Sequence, residues 1–453
     1  MMRNPLPVFL ALGGLVACSP GATPRPSVIL ISIDTLRADH VGAYGYERDT
    51  TPFLDRFAEQ SLLFERAFTP ASWTLTAHAT MLTGLQPDEH GILADGLAFS
   101  PETPLLAERL QAVGYRTLGL FFRGWINEER GFGRGFDVFQ NHRNAEEAGA
   151  HLLSLLPQES GGPPLFLFLH LFDVHSQPFK PDSSIVYDSP EPHRNRFVAP
   201  DAAPLPELPS QVLWETEGLL DPEQREHLVA LYDGAIHYVD TRLEQWFSEL
   251  ERRGLLENAL VIVTADHGEA LGQRANGRLH GHGGYYQEGL HVPLIVRLPD
   301  GSRAGERIQA PVQLGDLVPT ILEVCGLAPD ARLGGLSLRE ALPEDRIIDG
   351  ARGSSRYALR WPEKYVDNGG GRVLHTDLSR DPLERANREV DAARLQSLVE
   401  RARGERGPHP APIPMGARSL AEEQQLRDLG YGGELDEELL PGSSPAAQGS
   451  GER

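Results

Sequence analysis

Strands alternating with helices over residues 28–324 predict an α/β fold, with a doubly wound, mainly parallel sheet and a smaller C-terminal α+β part. Three observations carry this prediction. Apolar runs such as Val28-Ile29-Leu30-Ile31-Ser32-Ile33 and Leu165-Phe166-Leu167-Phe168-Leu169-His170-Leu171 lack strict alternation, as strands covered on both faces do. Stretches with helical periodicity lie between these runs. Beyond about residue 330 the pattern changes to short strands and one helix.

The elements follow in order. The first strand covers 28–33, and Asp34 sits at its carboxyl end. A helix over 51–61 comes next, with Pro52 suited to its first turn. Residues 103–113 read as a helix, and Gly114 ends it before a strand over 115–122. The strand at 165–171 is followed by Asp173 and His175. The longest helical pattern spans 223–252, where Leu228, Leu231, Ala235, Val239, Leu243, Trp246 and Leu250 recur on one face. A strand at 260–264 runs into Ala265-Asp266-His267-Gly268, and another spans 292–298. Short strands near Tyr357 and Val373 and a helix over 391–403 form the C-terminal part. From about Gly433 the chain is acidic and then rich in Gly, Ser and Pro, a composition that does not build a core.

Three polar clusters fall just past strand ends: Asp34, Asp173 with His175, and Asp266 with His267. Open α/β sheets bind ligands at that edge. Clusters far apart in sequence can therefore share one rim and one active site.

The 453 residues suit one large catalytic domain and a smaller attached one, and 40% hydrophobic content is enough for a sizeable core. A formal net charge of -22 argues against nucleic acid as a partner. It also repels anionic substrates, so any anion site must be built locally from a metal, His side chains and helix N-termini. The N-terminus reads as a targeting segment. Its apolar run, 7–17, is too short to span a bilayer. The run ends in Leu15-Val16-Ala17-Cys18, which resembles a bacterial lipobox and implies an exported lipoprotein with lipid on Cys18. In a two-membrane host, Ser19 favours the outer membrane, on the periplasmic side. The expected division is a signal peptide at 1–17, a tether at 18–27, a catalytic domain at 28–330, a C-terminal subdomain at 331–405, and an extension with a disordered tail at 406–453. With Cys18 acylated, Cys325 is left alone, so no disulfide is expected and Cys325 reads as a buried small hydrophobe. A monomer is expected.

The motifs Ile33-Asp34-Thr35-Leu36-Arg37, Met81-Leu82-Thr83-Gly84 and Thr264-Ala265-Asp266-His267-Gly268, in this order, resemble those of the sulfatase-like family of the alkaline phosphatase superfamily. Ile33-Asp34-Thr35-Leu36-Arg37-Ala38-Asp39-His40 with Thr51-Pro52-Phe53-Leu54-Asp55-Arg56 is similar to the family's opening. Met81-Leu82-Thr83-Gly84-Leu85-Gln86-Pro87, Thr264-Ala265-Asp266-His267-Gly268-Glu269, His291-Val292-Pro293-Leu294, Asp316-Leu317-Val318-Pro319-Thr320 and Asp377-Leu378 with Asp381-Pro382 and Glu384 follow in the family's order. The resemblance covers roughly residues 27–390.

The nucleophile motif departs from the family. Sulfatases carry Cys or Ser, any residue, Pro, Ser, Arg, three residues and Leu-Thr-Gly. Counting back from Leu82-Thr83-Gly84 places Thr74 at the Cys/Ser position, with Thr76, Ala77 and His78 for Pro, Ser and Arg. The extra methyl of Thr blocks conversion to formylglycine. The usual route, in which a hydrated aldehyde releases sulfate, is closed to it. Thr nucleophiles occur elsewhere in the superfamily, in phosphodiesterases and phosphoglycol- or phosphoethanolamine-transferring members. A Thr hydroxyl needs a metal to stabilise its alkoxide, and a helix starting just after Thr74 adds amide dipoles towards the anion.

The resemblance implies a metal site of Asp34, Asp266 and His267, with Thr74 as a fourth ligand. Thr35 stands where calcium-binding members carry a second acid. One fewer hard oxygen and the His267 nitrogen favour zinc or manganese, with calcium as the alternative. His175 matches the family's ester-contacting His and suits a general acid for the leaving oxygen. In Leu279-His280-Gly281-His282-Gly283-Gly284 the spacing permits either His280 or His282 at the family's anion-contacting position. His78 and Arg123 are candidates for binding the substrate anion, Arg123 because the family's Lys-x-His element is missing. Asp173 is read as orienting His175 or binding metal. The expected reaction is in-line attack by Thr74 on an anionic sulfate or phosphate ester, resolved by water. The alternatives are a phosphoryl-group transferase and a non-catalytic binding lipoprotein that keeps the fold.

Overall fold

The computed structural model of the chain describes residues 24–122, 124–176, 186–206, 220–273, 281–404 and 409–416. The unalternated apolar runs become central strands. Ser27–Ile33 (β1), Leu62–Phe64 (β2), Arg116–Phe122 (β3), Val138–His142 (β4), Leu165–Leu171 (β5), Ala259–Thr264 (β6), Leu294–Arg297 (β7) and Arg307–Ile308 (β8) form one sheet, in the order β8-β2-β7-β6-β1-β5-β3-β4. Strands β6, β1, β5, β3 and β4 run parallel, and β7 runs against its neighbours β6 and β2. Every residue of β5 and β6 is buried, which requires cover on both faces because side chains alternate.

Helices supply that cover. Pro52–Glu59 (α1), Thr74–Thr83 (α2), Leu106–Gln111 (α3), Ala145–Leu155 (α4), Pro222–Arg252 (α5) and Leu317–Val324 (α6) alternate with the strands. Helices α1 and α4 pack on α5 in one layer, and α2 packs with α3 and α6 in another. The apolar face predicted for α5, from Leu228 to Leu250, is buried. Helix α3 is shorter than the 103–113 expected. Pro104 disfavours helical backbone at Thr103, and Leu105 is an extended N-cap.

The strand expected over 292–298 is split at Pro293, which has no amide to donate. His291–Val292 pairs with Ala67–Phe68 in a small separate sheet, and only Leu294–Arg297 joins the main one.

The C-terminal part holds more strand than the sequence suggested. Ile347–Arg352 (β9), Ser355–Arg360 (β10), Glu363–Asp367 (β11), Val373–Asp377 (β12) and Arg388–Val390 (β13) form an antiparallel meander, against which Ala392–Arg403 (α7) packs. Residues 331–346 stay with the main core: Leu338 is buried there, and Arg346 pairs with the buried Asp316 at 2.6 Å. Phe68, Tyr285 and Leu290 of the main part form a buried cluster with Ile348, Tyr357, Leu359 and Leu378 of the C-terminal part. Ile413–Pro414 pairs with Leu97–Ala98, so the chain beyond α7 returns across the main part.

Cys325 is buried, as expected of a small hydrophobe. The predicted signal segment, Cys18 and the tail from Gly433 lie outside the described residues. Among the described residues no helix is long and apolar enough to cross a membrane.

Candidate active site

The neighbours β5, β1 and β6 end at one edge. Ile33 lies opposite Leu171, and Ser32 opposite Thr264. Parallel register therefore brings Asp34, His175, Asp266 and His267 to the same rim, as the positions of the clusters predicted. The Asp34 amide donates to the Leu171 carbonyl at 2.8 Å, which fixes that residue against the end of β5.

Thr35 follows in the left-handed region, at φ 59°, which is an outlier for a β-branched residue. Its surroundings hold it there. The Tyr232 hydroxyl donates to the Thr35 carbonyl at 2.7 Å and accepts the Arg37 amide at 3.0 Å. The Thr35 amide then reaches Oδ1 of Asp266 at 3.3 Å. Strain at this turn thus ties the end of β1 to the carboxylate after β6.

Helix α2 begins at Thr74, with Trp73 as an extended N-cap and Gly84, at φ 76°, closing it. The helix N-terminus therefore points its first amides towards the rim, an arrangement that favours anions. The Thr74 hydroxyl lies 3.2 Å from Nε2 of His267 and 3.5 Å from Oδ2 of Asp34.

This group can hold a cation. Oδ1 of Asp34 and Oδ2 of Asp266 are buried and have no hydrogen-bond partner. Leaving such oxygens dry and unpaired is costly. Nε2 of His267 lies 3.8 Å from the first and 3.4 Å from the second. Tetrahedral ligands with bonds of about 2.0–2.2 Å stand about 3.3–3.6 Å apart. The Asp266 oxygen is at that spacing from Nε2, and the Asp34 and Thr74 oxygens, at 3.8 and 3.2 Å from Nε2, are within a few tenths of an ångström of it.

Charge supports the same conclusion. Burial, and then the charge of Asp266, push the Asp34 carboxyl well above the usual range. Burial also opposes ionisation of Asp266, but His267 and the other imidazoles around it outweigh burial and hold it below that range. Two buried carboxylates side by side ionise together only with a cation between them.

Three histidines face this centre with the same tautomer. Nδ1 of His267 lies 3.0 Å from the Gly268 carbonyl, Nδ1 of His175 2.6 Å from that of Ser176, and Nδ1 of His282 3.1 Å from that of Ser72. A carbonyl only accepts, so Nδ1 carries the hydrogen in each. For His267 this turns the Nε2 lone pair towards the carboxylates. The rings form a row: His282 is 4.2 Å from His267 and 5.3 Å from His175, on which Phe172 stacks at 4.2 Å. Phe122 stacks on Phe172 at 4.0 Å and backs the row.

The profile of the sulfatase family matches residues 26–327, a span that contains Asp34, Thr74, His175, Asp266, His267 and His282. The chain belongs to the sulfatase family. It is an ester-bond hydrolase of the alkaline phosphatase superfamily. It is 22% identical over 440 residues to the arylsulfatase of Clostridium perfringens, covering 80% of this chain and 90% of that protein. It is 28% identical over 405 residues to human N-sulphoglucosamine sulphohydrolase, covering 83% and 77%. The crystal structure of the phosphonate monoester hydrolase of Agrobacterium radiobacter superposes with a TM-score of 0.67 at 22% identity, covering 83% of this chain and 96% of that one. That likeness is one of fold.

Against the sulfatase pattern, the site departs most at His78. Where the family carries Arg, this ring is fully buried, 2.9 Å from the Thr74 carbonyl through Nδ1 and 3.0 Å from the Ser32 hydroxyl through Nε2. Burial, and then His170, lower its pKa to about 3, so the position is uncharged at neutral pH. Its ring nitrogens are engaged inside the protein, beneath Thr74. A second His/Asp group, His78, His170 and Asp266, also clusters tightly. It is the weaker cation holder, because the His78 nitrogen beside Asp266 is Nδ1, 3.6 Å from Oδ2, and that atom keeps its hydrogen for the Thr74 carbonyl.

His170 is the site residue that the sequence reading missed. It sits within β5, and its Nε2 lies 3.1 Å from Oδ2 of Asp34. Its signal was a lone polar residue in an otherwise apolar run. Asp173 serves helix α4 instead, with its Oδ1 accepting the Ala145 amide at 3.0 Å. Of the two histidines left open by the sequence, His282 is at the rim, while His280 lies outside the described residues, as does Arg123.

Proposed function

We propose that Thr74 is the nucleophile of a metal-dependent hydrolase that cleaves anionic sulfate or phosphate esters. One observation carries this reading. Two unpartnered, buried carboxylate oxygens gather around Nε2 of His267, and that nitrogen lies 3.2 Å from a Thr hydroxyl at a helix N-terminus.

Asp34, Asp266, His267 and Thr74 would hold one divalent ion. The mixed nitrogen and oxygen donor set favours zinc or manganese over calcium. When bound, such an ion supplies Lewis acidity, lowering the pKa of the Thr74 hydroxyl and offsetting charge on the transferred group. The chain's own residues do the rest. The amides of the first turn of α2 orient the anionic group, and Thr74 attacks its phosphorus or sulfur in line with the leaving oxygen. His175 and His282, fixed through Nδ1, present Nε2 to the ester side. Thr74 reacts as the alkoxide, its proton already lost to bulk water. One of the two rings, carrying a second hydrogen on Nε2 as an imidazolium, gives it to the leaving oxygen. The ring, now neutral, takes a proton back from the water that resolves the intermediate and frees the Thr74 oxygen. Phe122 and Phe172 keep the His175 ring in place and exclude water behind it. His280 and Arg123 stay as sequence-based candidates for contact with the anion. His78 is read as support for the start of α2.

Leu15-Val16-Ala17-Cys18 supports an exported protein anchored by lipid on Cys18. The test of function is direct. The purified protein should contain close to one divalent metal per chain and turn over an aryl sulfate, an aryl phosphodiester or both, and Thr74→Ala should abolish that turnover. A metal-free protein that turns over neither ester, or a Thr74→Ala variant of wild-type rate, would overturn the reading.

A further inference from the structure

The segment that presents His282 is bound to the C-terminal sheet through one buried ion pair. Lys364 on β11 and Glu384, between β12 and β13, pair with side chains only 1% and 2% exposed. The Lys364 ammonium also donates to the Tyr285 carbonyl, three residues along the chain from His282. Oε2 of Glu384 accepts the Gln287 amide at 2.7 Å. The Tyr285 hydroxyl donates to the Ser355 carbonyl of β10 at 3.1 Å, and its ring lies 5.2 Å from that of Tyr357. The other flank is tied to loops of the main part. The Gly281 amide donates to Glu269, the Ala270 amide donates to the Gly281 carbonyl at 2.8 Å, and the Gly283 amide donates to the Ser72 hydroxyl at 3.2 Å.

Stability alone does not explain the pair. Desolvating two charges offsets most of their attraction, and a well-packed apolar pair is often as stable. Apolar side chains, however, have nothing to offer the Tyr285 carbonyl or the Gln287 amide. Glu384 also sits in the left-handed region, at φ 52°, a conformation kept only where the surroundings impose it. The pair is therefore built to direct two backbone groups next to the site.

We propose that Lys364 and Glu384 are positioning residues for His282, so that the C-terminal sheet sets the geometry of the main sheet's active site. This rests on the reading of His282 as a residue that faces the ester. The pair touches no substrate. It fixes the backbone at 285 and 287, and that backbone fixes where the His282 imidazole meets His267 and His175.

Three variants test this on whichever aryl ester the wild type turns over. Glu384→Gln keeps an acceptor for the Gln287 amide and removes the charge. Lys364→Met/Glu384→Leu removes both charges and leaves no buried ion unpaired, which protects folding. His282→Ala is the reference. Both pair variants should lose about tenfold or more in kcat, the penalty of a small misplacement, with KM and metal content close to wild type. Amides in 281–290 should exchange hydrogen faster. Wild-type kcat in both pair variants, alongside a large loss in His282→Ala, would overturn the positioning role and leave the site intact. Wild-type kcat in His282→Ala would instead overturn the reading of His282 itself.

Discussion

Nε2 of His170 lies 3.1 Å from Oδ2 of Asp34, and this contact decides which oxygen of Asp34 faces the metal group. An ionised carboxylate only accepts, so His170 donates to Oδ2 and leaves Oδ1 unpaired towards His267. Burial holds the His170 pKa down to about 4, so the ring is a neutral donor at working pH. Partners of this kind commonly change metal affinity by about 10–100-fold. His170→Ala should weaken metal binding by that much, read by competition with a chelator. Unchanged affinity would show that Asp34 needs no such donor.

Removing the metal should cost stability. Without a cation the buried oxygens Oδ1 of Asp34 and Oδ2 of Asp266 have no hydrogen-bond partner, which is costly. Chelation should lower the Tm, and added zinc or manganese should raise it in step with concentration. At 100-fold over the Kd the gain is about 2.7 kcal/mol. Asp266→Asn should respond far less to added metal. Equal Tm values with and without chelator would argue against a bound ion.

Gly268 has no room for a side chain. An added Cβ would stand 1.9 Å from the Glu288 carbonyl oxygen and 3.0 Å from Cγ of Arg37, and the Gly268 amide donates to the Gly289 carbonyl at 3.0 Å. Gly268→Ala must therefore shift either the Asp266-His267 turn or the 285–290 segment. A loss of about 100-fold in kcat is expected from displacement of that kind. Activity within twofold of wild type, in a folded variant, would contradict the packing described.

Much of this site was legible in the sequence, for a physical reason. Asp34, Asp266 and His267 each follow an unalternated apolar run, and parallel strands put such positions on one rim. Thr74 was legible only through its distance from Leu82-Thr83-Gly84. His170 was hidden because it lies inside such a run, where one polar residue does not break the pattern. Tyr232, Lys364 and Glu384 act through backbone groups far away in sequence, and no local periodicity reports that. The C-terminal strands were under-read because segments such as Ser355-Arg356-Tyr357-Ala358-Leu359-Arg360 mix charged and buried positions. Pro293 could have signalled the split strand, since a proline interrupts any ladder it enters.

Acid and base should act on folding through Asp240, away from the site. Its two oxygens accept the Phe53 and Leu54 amides at 2.8 and 2.9 Å, holding α5 to the first turn of α1. Burial raises its pKa from 3.8 to about 7, against the pull of those two amides. The folded chain therefore binds this proton more tightly than the unfolded one. Its contribution is complete below the unfolded pKa and is lost as pH rises through about 7. Asp240→Asn does not titrate. Between pH 5 and 8 the wild-type Tm should fall by about 2–5 °C more than that of the variant. Parallel curves would contradict the assignment.

The most direct measurement is intact mass, followed by peptide mapping, after brief mixing of metal-loaded protein with an activated aryl ester. A phosphoryl or sulfuryl adduct on the peptide bearing Thr74, absent in Thr74→Ala, is the predicted result, and its composition identifies the ester class. Turnover with no adduct at any time point, or an adduct on another residue, would contradict attack by Thr74.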